Sequence, residues 1–482
     1  MRRDVLLLLA KQLVSNAFRN KAIVMLLGIV AILLIYATYS CAGIYLQETQ
    51  SRQSYQKEVR EHWEEMPDKH PHRMAHYGYI VFRPKSPLSI FDPGMESYVG
   101  NAVFLEAHRQ NSVNFSEAGF STGMLRFGEI SMAMILQILV PLVIFFIGFN
   151  TVAADRENGT LKILLGQGVS WKEIMTGKII GLFGIALSLL LLVLIFLIAA
   201  GVSIPQKQFT ADDLLLISWI MLCYAVYFGI ISIVAVLISA YSRTAKLALV
   251  SLISIWLLWA IILPRTMQAA GNFLYASPSR IEFETAIEKE LIQKGDSHNP
   301  DDPYYKALKD SVLRIYNASS VEQLPFNYSG FQMKEGERIS AVIYNQHLFA
   351  LLDRYQQQND VSRLSAFVNP LMALRNLSMS ISGTGFNNYT RFQQQAEAYR
   401  YQLAQHMNDL QIKLISNKKP GDNDKPYSIS SEHWKSFPDF SYKTERPIVM
   451  ITSETLSLFA LLCWMLLLIT AVSILSKKLK AI

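Results

Sequence analysis

Charge is scarce in this sequence. Only 17% of its 482 residues are Asp, Glu, Lys or Arg, against about 25% in an ordinary soluble domain. That shortfall argues against a cytosolic enzyme. Cysteine is nearly missing. Cys41, Cys223 and Cys463 all lie within or at the edge of apolar runs, so no disulfide framework holds the polar regions together. The lack of a C-x-x-C pair also speaks against ligation of a metal by thiolates. There is no G-x-x-x-x-G-K-[ST] phosphate loop, so the chain does not bind and hydrolyse ATP in the usual way. H-E-x-x-H is absent too, and with it the common zinc-protease centre; the spacing G-x-S-x-G occurs once, at Gly119–Gly123, with no strand pattern ahead of it to form a nucleophile elbow. The interiors of the apolar runs hold almost no ionisable residues, which speaks against a secondary transporter with a mid-membrane ion path. Gln137 and Asn150 are polar but neutral, and read as contacts between helices.

What the chain has is six long apolar runs: Ala22–Leu46, Ile130–Ala153, Ile179–Ile204, Leu214–Ala240, Leu247–Leu263 and Ile448–Leu475. About 20 apolar residues cross a bilayer core, so all six read as membrane spans, the fifth closed by Pro264-Arg265. The first run is too long, and begins too late, for a signal peptide. Thr38-Tyr39-Ser40 before Cys41 does not suit a lipidation site.

Lys and Arg fix the orientation, because they resist translocation. With the N-terminus inside, segments 1–21, 154–178, 241–246 and 476–482 hold fourteen of them, against Lys207 alone in the short outside loop. Both termini are expected in the cytoplasm. The net charge of +7 is therefore topological and does not point to nucleic acid. Residues 47–129 and 265–447 are then expected outside, packed together as one extracytoplasmic domain. Apolar residues at helical spacing over Ile281–Leu291, Tyr304–Tyr316, Ile339–Leu352 and Phe392–Ile415 make the second segment mostly helical, broken at Asn369-Pro370 and Gly383-Thr384-Gly385 and followed by a loop-like linker over 417–426. The first segment, rich in proline and aromatics, reads as irregular with short helices. The expected fold is an all-α membrane protein with six transmembrane helices, an N-terminal interfacial helix and a mostly helical extracytoplasmic domain. In that domain His62, His70, His72 and His76 crowd together. They read as ordinary histidines of a polar loop, with no metal site expected; the alternative is a transition metal, which imidazoles at this density can bind.

The loop after the second span is the most specific feature. Asp155, Arg156 and Glu157 continue that span, and Gly159 permits a break. Thr160 begins a short turn in which Leu161, Leu164 and Leu165 form an apolar face for the membrane surface or a partner. Gly166 and Gly168 break the chain again. Ser170 and Glu173 have the spacing of a capping box that starts the next helix. The product is a helix-break-helix elbow on which a partner can push.

Glu157, Gly159, Thr160, Leu161, Leu164, Leu165, Val169, Ser170, Glu173, Ile174, Gly177 and Lys178 together resemble the coupling-loop signature of ABC transporter permeases of the type-2 exporter family. That family usually has Pro before the Val and Arg after the Ser, where this chain has Gly168 and Trp171. The face of Leu6, Leu9, Ala10, Leu13, Val14, Ala17 and Phe18 is similar to the family's elbow helix lying on the inner membrane surface. The large insertions resemble a bacterial subgroup with extracytoplasmic domains, in which Asn369–Leu374 and Gly383-Thr384-Gly385 look like recurring features. The resemblance implies a permease subunit in the bacterial inner membrane, with Lys172 and Glu157 at the rim of a docking site. It implies a separate ATP-binding subunit carrying ATP and Mg, and a second permease copy or paralogue. No cofactor is expected in this chain. The alternatives are an energy-coupled protein that moves an envelope partner without carrying cargo and, more remotely, a secondary transporter.

Overall fold

The computed structural model describes residues 1–111, 130–203, 209–297, 299, 301–418 and 427–478. Lys207, Lys480 and most of the 417–426 linker lie outside them. In chain order the elements are α1 (Arg3–Arg19), α2 (Lys21–Glu64), α3 (Pro71–Ala75), β1 (Tyr79–Phe82), β2 (Ala102–Leu105), α4 (Met132–Glu157), α5 (Thr160–Gly166), α6 (Trp171–Val202), α7 (Ala211–Tyr241) and α8 (Ala245–Leu274). They continue with α9 (Arg280–Lys294), α10 (Pro303–Ile315), α11 (Tyr328–Leu364), α12 (Pro370–Ile381), α13 (Phe386–Leu414), α14 (Glu432–Lys435), α15 (Pro447–Thr452) and α16 (Thr455–Lys478). The protein is predominantly helical. Among the described residues six helices are long and apolar enough to cross a membrane: α2, α4, α6, α7, α8 and α16.

The helices outrun the apolar segments. α2 continues from the apolar run to Glu64 as a polar helix. α8 does not stop at Pro264-Arg265 but runs on to Leu274. A proline in a helix clashes with the carbonyl four residues back, and here the preceding turn, Leu258–Ile262, is widened into a π turn. α4 repeats the device, with a π turn over Ile135–Leu139 just ahead of Pro141. Carbonyls in the two widened turns find side-chain donors. Ile138 O accepts from the Trp256 indole at 2.9 Å, and Trp259 O from Asn369 Nδ2 at 2.8 Å.

Asn369 does two jobs, since its side-chain oxygen also caps α12 through Leu371 N at 3.1 Å. α12 lies in the second polar segment by sequence, yet it packs against α7 and α16 and is buried along most of its length. Leu371, Ala373, Leu374, Leu377 and Ile381 share one core with the spans. Beside it Ser378 joins a buried polar cluster. It meets Tyr224 of α7 at 3.0 Å and donates to Asp92, while Gln137 of α4 donates to Tyr224 at 2.8 Å. Gln137 is thus an interhelical contact.

The two polar segments share a second core, formed by Trp63 at the end of α2, Tyr79, Val81, Val103 and Leu105 of the β-hairpin, Phe392 and Met407 of α13, and Trp434. The hairpin pairs Tyr79 with Leu105 and Phe82 with Ala102, in a segment that by sequence reads as irregular with short helices. Arg83 and Glu96 stabilise the first segment as a fully buried two-point ion pair at 2.7 and 2.8 Å.

α1 also differs from expectation. Leu9, Ala10, Leu13 and Ala17 do not face outward but pack on α6, where Gly177 and Gly181 let the two backbones approach. A Cβ at Gly177 would lie 2.7 Å from Leu9 Cβ and 3.1 Å from Leu6 O. Of the expected face Phe18 is exposed, and it forms an outward apolar face with Leu7 and Leu8.

Candidate functional site

The elbow is built by two left-handed glycines and one cap. Gly159 (φ +77°) turns the chain from the end of α4 into α5, and Gly168 (φ +78°) turns it out again. A side chain at either would cost about 1–2 kcal/mol in that conformation. Ser170 then starts α6 with a complete capping box: its Oγ accepts from Glu173 N at 3.2 Å, and its own N–H donates to Glu173 Oε2 at 2.9 Å. On the other side, Ser239 of α7 stitches the last turn of α4. Its Oγ accepts from Val152 N and Ala153 N and donates to Phe149 O.

The charged residues of the elbow fasten it to its neighbours. Arg156 donates to Ala240 O at 2.7 Å and to Ser242 O, both at the end of α7, and lies over the Trp171 ring. Glu157 accepts from Ala245 N, the first residue of α8, at 3.2 Å. Asp155 pairs with Lys178 at 3.2 Å. Glu173, on the polar side of the apolar run of α6, accepts from the Arg2 backbone at 2.7 Å and from its guanidinium at 3.1 Å, while Arg2 also reaches Gly168 O at 2.7 Å. These hydrogen bonds from Arg2, with those from Ser170, hold the Glu173 carboxyl well below the usual carboxylate range. The elbow is therefore tied to α1, α7 and α8 as well as to the two helices it joins.

The apolar face of α5 points inward. Leu161 is fully buried, and Leu164, Leu165 and Val169 are half-buried against the core that also holds Ile174. Leu161 is thus not available to fill a groove on a partner. The exposed apolar residue is Ile163, 61% accessible, flanked by exposed Thr160, Lys162 and Gln167, with Lys172 exposed further on. Sequence reasoning passed over Ile163. The signal was present, because residues 161, 164 and 165 share one helical face and 163 stands on the other. Gly177 belongs to the packing of α1.

At the other end of the bundle a cleft of about 910 Å³ opens between the spans and the polar domain. Its walls include Leu216 of α7, Pro264 of α8, Arg375 and Met379 of α12, and Lys85 from the first polar segment. Arg363 also lines it, held by Asp360 at 2.9 Å and Glu454 at 3.2 Å.

The four clustered histidines separate. His62 is exposed in the last turn of α2. His70 caps α3, its Nδ1 accepting from His72 N at 3.2 Å, and burial, with Arg73 nearby, pushes its pKa below the ordinary value. His72 and His76 come together, with their Nε2 atoms 3.2 Å apart. The third member of the group is His108, beyond β2, which the sequence reading did not include.

Residues 280–443, about a third of the chain, match the family described as Domain of unknown function (DUF3526). The matched region runs from α9 through α14 and includes α12 and Glu337. No curated protein matches the chain.

Proposed function

We propose that this chain is the membrane-spanning permease subunit of an ABC transporter, driven by a separate ATP-binding subunit that docks on the elbow from the cytosol. One observation carries the reading: a short helix between two spans presents Ile163 and Lys162 outward while its charged flanks are fastened to α1, α7 and α8. A push on α5 would move several spans together. The docking side chain in this reading is Ile163, with Lys162 and Lys172 at the rim and Leu164 and Leu165 as partial contributors. Asp155, Arg156, Glu157 and Glu173 transmit and do not dock. The distribution of Lys and Arg supports placing the elbow and both termini in the cytoplasm. A second permease copy or paralogue would complete the transporter, and the 910 Å³ cleft offers each chain a chamber at the far end of the bundle.

A second reading keeps the ATPase and replaces transport by movement of the polar domain against an envelope partner. The unbroken passage of α2 from the bundle into that domain's core favours it. Co-purification from the source membrane with a C-terminal tag tests the shared part. A phosphate-loop subunit is expected in equal amount, and Ile163→Asp should abolish its recovery while leaving the helical content unchanged. Undiminished recovery with Ile163→Asp would refute elbow docking.

A further inference from the structure

The polar domain carries a cluster of three imidazoles that neither reading above uses. His72 of α3 and His76, the residue that caps its C-terminus, stand one turn apart, so they project from the same side. His108 reaches them from the turn after β2, where its own backbone is left-handed at φ +62°. One ring nitrogen from each of the three lies within 4.8 Å of the others. The ring centres are 4.6, 5.4 and 5.3 Å apart. Three imidazoles at tetrahedral angles around one ion, with metal–nitrogen bonds of about 2.1 Å, would set nitrogens about 3.4 Å and ring centres about 5.3 Å apart. The cluster is close to that arrangement.

A second, independent feature sits behind His108. Its Nδ1 lies 3.2 Å from Glu337 Oε2, and its backbone N–H donates to the same oxygen at 2.9 Å. Glu337 on α11 is fully buried and lies 2.7 Å from Arg400 Nη1, and Arg400 is itself held by Glu397 at 2.8 Å. A metal-binding histidine almost always directs its other nitrogen at such an oriented carboxylate, which fixes the ring and its tautomer. Here that contact engages Nδ1 and leaves Nε2 of His108 as the nitrogen for a metal. The buried arginine and glutamates thus set one imidazole in place.

We propose that His72, His76 and His108 bind a zinc-class divalent transition metal, with Glu337 as the positioning residue for His108. Imidazole-only ligation excludes calcium and magnesium, which take oxygen. Three protein ligands leave a fourth position open, and the exposure of His76 gives ion and solvent access to it. Bound metal would tie α3 to the turn after β2 and, through Glu337, to α11, joining the first polar segment to the second. The proposal does not depend on the chain being a permease.

The test uses the full-length chain in detergent, with an affinity tag free of histidine, stripped by chelator and titrated with Zn²⁺ by calorimetry and with Co²⁺ by absorption. One site per chain is expected, with the intense visible bands of tetrahedral Co²⁺. His76→Ala, at an exposed position, should weaken it by more than about 100-fold, and Glu337→Gln by about 10- to 100-fold with altered Co²⁺ bands. His62→Ala should leave the affinity unchanged. If His76→Ala bound Zn²⁺ as tightly as the parent, or if the stripped parent bound none, the assignment would be overturned. His108→Ala supplies a second check, and a variant that kept both affinity and spectrum would equally overturn it.

Discussion

Replacing Gly177 by alanine tests how α1 is held. A Cβ there would sit 2.7 Å from Leu9 Cβ, whereas carbon atoms in contact lie about 3.5–4.0 Å apart. α1 must therefore withdraw by about 1 Å at the crossing. Overpacking of this kind costs about 1–3 kcal/mol, and alanine returns about 0.5–1 kcal/mol of helix propensity. That gain belongs to α6 whether or not α1 is docked, so about 1–3 kcal/mol acts against docking, and since 1.4 kcal/mol is tenfold, the undocked fraction should rise by roughly 5- to 140-fold. Gly184 lies on the same helix with nothing within 4 Å of its would-be Cβ. Gly184→Ala should keep only the propensity gain and leave α1 docked. Amide hydrogen exchange of residues 3–19 in detergent reads the difference directly. Equal exchange in the Gly177→Ala and Gly184→Ala proteins would refute the account of the crossing.

Glu96→Ala leaves Arg83 charged in a buried site, which should destabilise the polar domain by about 3–5 kcal/mol, measurable as lost amide protection in β1 and β2. Asn369→Ala removes a cap worth about 1 kcal/mol and the donor to Trp259 O, an orphaned carbonyl costing about 1–3 kcal/mol; a lower unfolding temperature with unchanged helical content is the expected result. The Arg2–Glu173 latch should respond to acid. Because the folded carboxyl titrates below its unfolded value of about 4.3, the latch contributes fully above that pH and fades as pH falls toward the folded value. Protection of α1 should then be flat from neutrality to about pH 5 and drop below about pH 4, and Arg2→Gln should remove the step; an identical acid profile in that variant would assign the drop to other groups.

Hydropathy made the spans legible because it reports the solvent a segment needs. It does not report where a helix ends. The apolar run of α2 stops near Leu46 while hydrogen bonding continues to Glu64, and only the change of surroundings at that point is written in composition. Pro264 looked like a stop because the ordinary helix forbids it, and the π turn that admits it has no sequence mark of its own. α12 falls within the polar segment by sequence, and its twelve residues are too few to cross a bilayer, although its apolar faces are matched by α7 and α16. The capping box at Ser170 and Glu173 is local and was readable. The inward turn of Leu161 follows from helical spacing, but which side of α5 meets protein is set by α4, α6 and α7. His108 lies 32 positions from His76, and the β-hairpin and Glu337 that bring it in are long-range contacts. Proximity in sequence drew attention to His62 and His70 instead.

The length of α2 has a mechanical meaning. Its 44 residues at about 1.5 Å each make a rod of about 66 Å, more than twice the roughly 30 Å hydrocarbon core. Its foot adjoins α1 and packs on α6, and its tip, Trp63, is clamped in the distal core against Trp434. A lever arm of this length magnifies small rotations: a tilt of about 5° at the foot sweeps the tip through about 6 Å over that length. Sub-ångström displacements at the elbow would then reappear as side-chain-sized strokes at the far end, with no joint along the rod to absorb them.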